Sequence, residues 1–193
     1  DKAIQGKLKN KSSINMLYPA CGPLAPLLLP LLSYYKKPQP VKPSQIQVTL
    51  VDIQPGAILT LKQLVSDLQL EEYVSLIEEA DATVFEPQNA IDLLVLEAMQ
   101  HGFTKEGQLS IAKHLVKYLS LDGWIIPQNV SVKGMMVVGE TEFNQQWKTA
   151  EYSHSNNVGD EAQQDRVELG EILKINKSTL LEMQELELED GIK

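Results

Sequence analysis

Two carboxylates stand where strand-like segments of the chain end, and a third follows the second of them along the chain. Asp52 closes the β-branched segment 45–51, Glu97 directly follows the apolar run 91–96, and Glu106 lies nine positions further on. An acid at the end of a parallel strand can accept hydrogen bonds from two sugar hydroxyls, and two carboxylates on one loop can bind a cation or orient an amine. Ordinary alternatives exist for each: Asp52 also suits the N-terminus of the next helix, and the glutamates suit a solvated loop.

Segment 19–23 is a second candidate for ligand contact. Its sequence, Pro-Ala-Cys-Gly-Pro, follows the apolar run 14–18 and predicts a tight turn, in which Gly22 would let the backbone approach a ligand. Nucleotide-binding loops carry several glycines, and a single one is equally typical of an ordinary turn. The three-glycine fingerprint of nicotinamide-dependent dehydrogenases does not occur after this run, which disfavours that class.

Metal and nucleophilic chemistry have weaker support. His101 follows Gln100 shortly after Glu97, a spacing that allows a mononuclear metal site but is equally typical of a solvated loop. We therefore do not favour a metal. No Ser-His-Asp or Cys-His order stands out, and the lone Cys21 excludes an intrachain disulfide.

The elements that must position these residues alternate between strands and helices. Strands are predicted at 14–18, 45–51, 73–77, 91–96 and 124–127. Helices are predicted at 24–35, where Pro30 should cause a kink, and at 55–68 and 107–120. This order predicts an α/β fold with a doubly wound, mostly parallel, Rossmann-like sheet. Residues 130–138 predict a strand or hairpin, and 168–188 combine strand and helix patterns.

Composition limits the classes of partner. The 193 residues carry a formal net charge of −9 and one arginine, Arg166, so binding to nucleic acid or to an anionic membrane surface is disfavoured. The longest apolar run, 24–32, is shorter than the roughly 20 residues that span a bilayer. A single cysteine indicates a reducing compartment, and we expect a cytoplasmic location.

The run 92–100 resembles the fourth-strand segment of protein arginine methyltransferases. In that family an acidic residue and an apolar strand lead into Glu, any residue and Met, and a second Glu follows nine positions after the first. Glu97, Met99 and Glu106 match this pattern. Segment 121–127, Leu-Asp-Gly-Trp-Ile-Ile-Pro, is similar to the family's Asp-Gly turn and its strand ending in Pro.

The resemblance covers residues 14–132 and implies a class I fold that binds S-adenosylmethionine. Tyr18 stands where the family has an acid, and Ala20 and Leu24 stand where it has glycines, so cofactor contact through this turn is altered. The resemblance implies that Glu97 and Glu106 are the catalytic pair that positions the methyl acceptor. The cofactor-binding residues that it implies are Tyr18, Ala20, Cys21, Gly22, Asp52, Asp81 and Ala82.

Together these features predict a methyltransferase that uses S-adenosylmethionine. Its acceptor would be a protein side chain or a small or carrier-tethered metabolite, as for a C-methyltransferase domain of a biosynthetic assembly line. The alternative, favoured by the glycine-poor turn, is a non-catalytic interaction module with the same fold. We expect a Rossmann-like domain over 1–148, a flexible loop over 149–166 and a C-terminal segment over 167–193, within a longer polypeptide or a homodimer.

Overall fold

A computed structural model describes residues 1–38, 40–97, 107–139 and 166–185. The chain divides into two compact units, the first comprising Asp1–Gln128 and the chain from Asn176 onward, the second Asn129–Ile175. Glu106, Gln100 and His101 lie outside the described residues, and so does the predicted loop 149–166 except for Arg166. The boundary expected at residue 148 also falls there and stays a prediction.

The first unit is built on a five-stranded parallel sheet. Its strands are β1 (Ile14–Pro19), β2 (Ile46–Asp52), β3 (Val74–Glu79), β4 (Ile91–Val95) and β5 (Leu119–Ile126). They lie in the order β3-β2-β1-β4-β5, and each neighbouring pair is parallel. The predicted α/β, doubly wound sheet is confirmed. From β1, the chain adds β2 and β3 on one side of the sheet and then β4 and β5 on the other. The carboxyl ends of β1, β2 and β4 therefore form the edge where such sheets bind ligands.

Helices complete the fold. They are α1 (Lys2–Leu8), α2 (Leu29–Lys36), α3 (Pro55–Asp67), α4 (Gln108–Leu115) and α5 (Lys177–Glu185), with 3₁₀ turns at Pro43–Gln45 and Val116–Tyr118. Alternate residues of β1 and β2 pack with buried residues of α2 and α3 in one core cluster, which includes Met16, Tyr18, Leu50, Leu32 and Leu61. All five residues of β4 are buried, as expected of a parallel strand covered on both faces.

The helix predicted at 24–35 is shorter than expected. It begins at Leu29, because Ala25 adopts a left-handed conformation (φ 38°) that interrupts any helix through this point. Pro30, expected to kink the helix, lies instead in its first turn, where a missing N–H removes no helical hydrogen bond. The prediction was therefore wrong for 24–28, and these residues extend the turn after β1.

The helix predicted at 107–120 also ends early, and β5 starts at Leu119 instead of 124. Leu119 pairs with Ile91 and Trp124 pairs with Leu93, so the residues between them bulge out of the ladder. Gly123 makes this possible, because a Cβ atom there would lie 2.7 Å from the carbonyl oxygen of Ile91. Pairing with a distant strand overrides the helical pattern of this segment.

The second unit contains a two-stranded antiparallel ribbon of β6 (Val130–Val137) and β7 (Arg166–Ile175). The strand predicted at 130–138 is confirmed. The mixed pattern of 168–188 corresponds to the greater part of β7 followed by α5. Among the described residues, no helix is both long and apolar enough to cross a membrane.

Candidate functional site

The turn after β1 is tied to the end of β2. The backbone N–H of Cys21 donates to the carbonyl of Val51 at 3.3 Å, and the N–H of Gly22 donates to Oδ2 of Asp52 at 2.8 Å. Both Ala20 (φ 48°) and Gly22 (φ 63°) are left-handed. Glycine adopts this conformation without penalty, whereas alanine is strained in it by about 1 kcal/mol.

Asp52 is only 7% exposed and uses both carboxylate oxygens. Oδ2 accepts the N–H of Gly22, and Oδ1 accepts the N–H of Gln54 at 2.9 Å, at the start of α3. Asp52 therefore makes the contact with the start of a helix that was its ordinary alternative role, and it also contacts the turn. Each oxygen has a second lone pair, so the carboxylate can still accept hydrogen bonds from a ligand.

Glu97 lies two residues beyond β4, and its exposed carboxylate reaches back to β1. Its Oε2 accepts a hydrogen bond from the hydroxyl of Tyr18 at 3.1 Å. Burial raises the pKa of the Tyr18 phenol and the negative charge of Glu97 raises it further, so the phenol stays protonated as a donor. The residue before Glu97 is held by its N–H bond to Ile126 and by the side chain of Gln108 on α4, which donates to its carbonyl.

A cleft of about 240 Å³ opens at this edge. Its lining comes from the turn and from the residue after β4: Ala20, Cys21, Gly22, Pro23, Leu24, Pro26 and Glu97. Burial, with the nearby charge of Asp52, raises the pKa of the Cys21 thiol to about 12, so this thiol is neutral at physiological pH. Among the described lining residues, the only charge is therefore the carboxylate of Glu97.

Asp81 and Ala82 follow β3, next to the site. The N–H of Ala80 donates to the backbone carbonyl of Asp52 at 3.1 Å, which brings this segment to the same edge. Oδ1 of Asp81 accepts the hydroxyl and the N–H of Thr83 at 2.7 and 2.8 Å, bonds that lower the pKa of Asp81. Ala82 is 5% exposed and faces the interior.

The structure thus brings together six of the residues predicted from the sequence, and the cleft is also lined by three residues that were not among the predicted site residues. Tyr18, Ala20, Cys21, Gly22, Asp52 and Glu97 meet around the turn. The three other lining residues are Pro23, which was predicted to lie in the turn, and Leu24 and Pro26, which were predicted to lie at the start of the following helix. The closely spaced prolines were a signal for an extended turn, since proline is poorly compatible with helix interiors.

Within the described ranges, no three His, Cys, Asp or Glu side chains cluster so that they could hold a metal ion. Gln100 and His101, at which a metal site was considered and not favoured, fall outside those ranges. His114, on α4, contacts the carbonyl of Phe85 through Nε2 at 2.8 Å. This contact ties the helix to the segment between β3 and β4.

Neither a protein-family model nor a curated protein sequence matches the chain. Solved structures do. Protein arginine methyltransferase 10 of Arabidopsis thaliana, in a uniquely open conformation, is 13% identical with a TM-score of 0.52, over 78% of this chain and 41% of that one. The PRMT1 enzyme–prozyme heterotetrameric complex of Trypanosoma brucei with AdoHcy is 13% identical with a TM-score of 0.51, over 77% and 44%.

The chain spans less than half the length of either structure. At this identity the likeness concerns the fold, and it agrees with the strand order and the parallel pairing described above. The chain therefore has a class I methyltransferase-like fold, as predicted from the sequence.

Proposed function

We propose that this chain is the cofactor-binding domain of an S-adenosylmethionine-dependent methyltransferase, with its ligand in the cleft above β1. One observation carries the proposal: the Asp52 carboxylate of β2 contacts the turn after β1, and the Glu97 carboxylate after β4 contacts the end of β1 and lines the same cleft as the turn. Among the described residues neither is paired with a cationic side chain. The bound cofactor would supply an electrophilic methyl group on a sulfonium.

The turn fits a cationic ligand better than a phosphate. Phosphate-binding loops present free backbone N–H groups and the N-terminus of a helix. Here the N–H groups of Cys21 and Gly22 donate to the end of β2, and three prolines in 19–26 have no N–H to offer. Helix α2 begins only at Leu29, well beyond the turn. S-adenosylmethionine carries no phosphate and has two positively charged groups, so it suits this edge.

Asp52 is the proposed ribose-binding residue. Its bonds to the turn and to α3 fix the carboxylate in a low-mobility position, and its remaining lone pairs are available to two hydroxyls. Asp81 and Ala82, at the neighbouring strand end, are the proposed contacts on the adenine side. With Tyr18, Ala20, Cys21 and Gly22 they complete the set of cofactor-binding residues that we propose.

The methyl acceptor is assigned to the segment after β4 that includes Glu106. Methyl transfer is a direct displacement, so the protein contributes alignment and electrostatics and needs no nucleophile of its own. We propose a protein side chain or a small or carrier-tethered metabolite as the acceptor, and a cytoplasmic protein that is part of a longer polypeptide or a homodimer. The net charge of −9 disfavours a nucleic acid.

Calorimetric titration of the full chain with S-adenosylhomocysteine tests the proposal. We expect micromolar binding, and a loss of about 100-fold in Asp52→Ala, because two hydrogen bonds to a carboxylate disappear. Asp67→Ala is the matched control: its exposed carboxylate, at the end of α3, accepts a bond from Gln63. Circular dichroism shows whether both variants are folded. A folded chain that takes up no S-adenosylhomocysteine contradicts the proposal.

That outcome would favour the second candidate, a non-catalytic interaction module with a methyltransferase-like fold. The strained alanine at position 20 favours it, because a ligand that approaches the backbone closely at such a turn usually requires glycine.

A further inference from the structure

We propose that Glu97 recognises the primary ammonium group on the methionine portion of the cofactor. The carboxylate for this group would then come from the segment after β4, since Tyr18 at the end of β1 carries no charge. The inference rests on the proposed function, and it assigns Glu97 to the cofactor instead of to the methyl acceptor. The observations behind it are the contact between Tyr18 and Glu97, the charges around the cleft and the different surroundings of Asp52.

Tyr18 places the Glu97 carboxylate over the end of β1. The Tyr18 side chain is fully buried and belongs to the core cluster of the sheet, so its ring has a fixed position. Its hydroxyl holds Oε2 of Glu97 at 3.1 Å. A flexible, exposed glutamate is thereby restrained at one oxygen, while its other lone pairs stay available to a donor in the cleft.

The charges of the cleft select the class of ligand group. In the described part of the lining, Glu97 is the only charged residue, beside a neutral thiol and aliphatic side chains. Among the described residues no lysine, arginine or histidine forms an ion pair with it. A cation that enters this cleft therefore meets a carboxylate that no described cationic side chain neutralises. A primary ammonium, with three N–H donors, is the matching group.

Asp52 is not equivalent to Glu97. It is nearly buried, and two backbone N–H groups already hold its two oxygens, so it presents lone pairs in fixed directions to neutral hydroxyls. Glu97 is exposed, and one phenol hydroxyl is its partner in the described part of the chain. The two acids thus divide the cofactor between a sugar and an ammonium. Acceptor binding is then left to later positions such as Glu106.

Two ligands that differ only in the amino-acid portion test the assignment by calorimetry. S-adenosylhomocysteine carries the ammonium, and 5′-methylthioadenosine has the same thioether and nucleoside without it. In Glu97→Gln, which keeps an acceptor for Tyr18, we expect affinity for S-adenosylhomocysteine to fall about 30-fold and affinity for 5′-methylthioadenosine to stay within about twofold. Glu72→Gln removes the same charge from an exposed position before β3 and should change neither affinity.

Tyr18→Phe is the second variant, because it keeps the buried ring and removes only the bond that restrains Glu97. We expect a loss of about threefold for S-adenosylhomocysteine alone. Equal losses for both ligands in Glu97→Gln would mean that Glu97 only shapes the cleft. No loss for either ligand would mean that Glu97 does not contact the ligand. Both results overturn the inference. If the unaltered chain bound 5′-methylthioadenosine and S-adenosylhomocysteine equally well, the inference would fail while the proposed function stood. Binding of neither ligand would overturn both.

Discussion

The central sheet has an amino edge, where its strands begin, and a carboxyl edge, where they end. The two edges carry similar acids in opposite surroundings. At the amino edge, Asp92 and Asp122 form ion pairs with Lys7 and Lys11. At the carboxyl edge, Asp52 and Glu97 accept hydrogen bonds from uncharged donors. An acid that forms an ion pair with a lysine of the same chain stabilises the fold. An acid without such a partner can instead bind the cationic group of a ligand.

The amino edge is a closed network. Lys11 bonds to both acids, and the hydroxyl of Ser120 donates to Asp92 at 2.9 Å. Lys7 bonds to Asp122 at 3.2 Å and lies 4.7 Å from the Trp124 ring centroid. These contacts join α1 to the starts of β4 and β5.

The last helix extends the same network. The ammonium of Lys177, at the start of α5, donates to the carbonyls of Ser120, Leu121 and Gly123 at 2.9, 2.8 and 3.2 Å. Burial, together with the charge of Lys7, lowers the pKa of Lys177. All three ammonium donors are used, so the bulge in β5 is held by the chain itself. We therefore expect changes at the amino edge to reduce stability and changes at the carboxyl edge to reduce binding.

Gly123→Ala should give the largest loss of stability. A Cβ atom there would lie 2.7 Å from Ile91 O and 2.9 Å from Ser120 O, both backbone atoms that cannot move without breaking the ladder. We expect the free energy of unfolding, measured by urea denaturation, to fall by about 3 kcal/mol. Gly56→Ala, in α3 with nothing within 4 Å, is the control and should change it by less than about 1 kcal/mol. Equal effects in the two variants would contradict close packing at the bulge.

Asp92→Asn should cost about 2 kcal/mol at neutral pH, because Lys11 loses its bond to a nearly buried carboxylate. Affinity for S-adenosylhomocysteine should stay within about twofold. Burial alone would raise the pKa of Asp92, but the bonds from Lys11, the Asn15 N–H and Ser120 lower it overall.

The sign of the pH dependence follows from that lowered pKa. A carboxyl group whose pKa is lower in the folded chain stabilises it above the unfolded pKa of about 3.9, and this contribution is lost as the pH falls through the folded value. In urea titrations the difference between the natural chain and Asp92→Asn should therefore be complete at pH 6 and shrink below about pH 4. A difference that grows on acidification would show that Asp92 is not held as a carboxylate by Lys11.

Gly22→Ala should give a smaller loss of stability than Gly123→Ala or Asp92→Asn. Gly22 has φ 63°, a conformation that strains alanine by about 1 kcal/mol, but a Cβ atom there would meet nothing within 4 Å. Urea denaturation should therefore place this variant between Gly56→Ala and Gly123→Ala. A loss as large as that of Gly123→Ala would mean that the carboxyl edge is packed as tightly as the amino edge.

The parallel strands were predictable because burial leaves a direct mark on the sequence. Strand β4 is buried at all five positions and β1 at five of six, so both appear as mainly apolar runs, whereas β2 alternates at its start, is buried at its end and closes on Asp52. The start of β5 was not predictable, since Leu119 pairs with Ile91 and this contact overrides a local helical pattern. The early part of the helix predicted at 24–35 failed for a similar reason, because Ala25 takes up a left-handed conformation.

For the candidate site, the sequence indicated which residues to consider but not how they contact one another. Asp52 and Glu97 were recognisable as acids at strand ends, and parallel strands bring such ends to one edge. The bond between Tyr18 and Glu97 joins residues 79 positions apart, and no local pattern records it. The same holds for the cleft residues Pro23 to Pro26, whose place depends on where α2 begins.

The amino-acid sequence by itself determined the class of fold and the acids at the carboxyl ends of its strands, because strand order and burial are encoded in hydrophobic runs and their boundaries. Only the tertiary structure decided which acids are neutralised. Asp92 and Glu97 stand at the two ends of one short strand; the first meets Lys11 from the N-terminal segment, and the second meets a neutral phenol. An acid's partner depends on how distant segments come together in space, and that choice separates the stabilising edge of this sheet from the edge proposed to bind the cofactor.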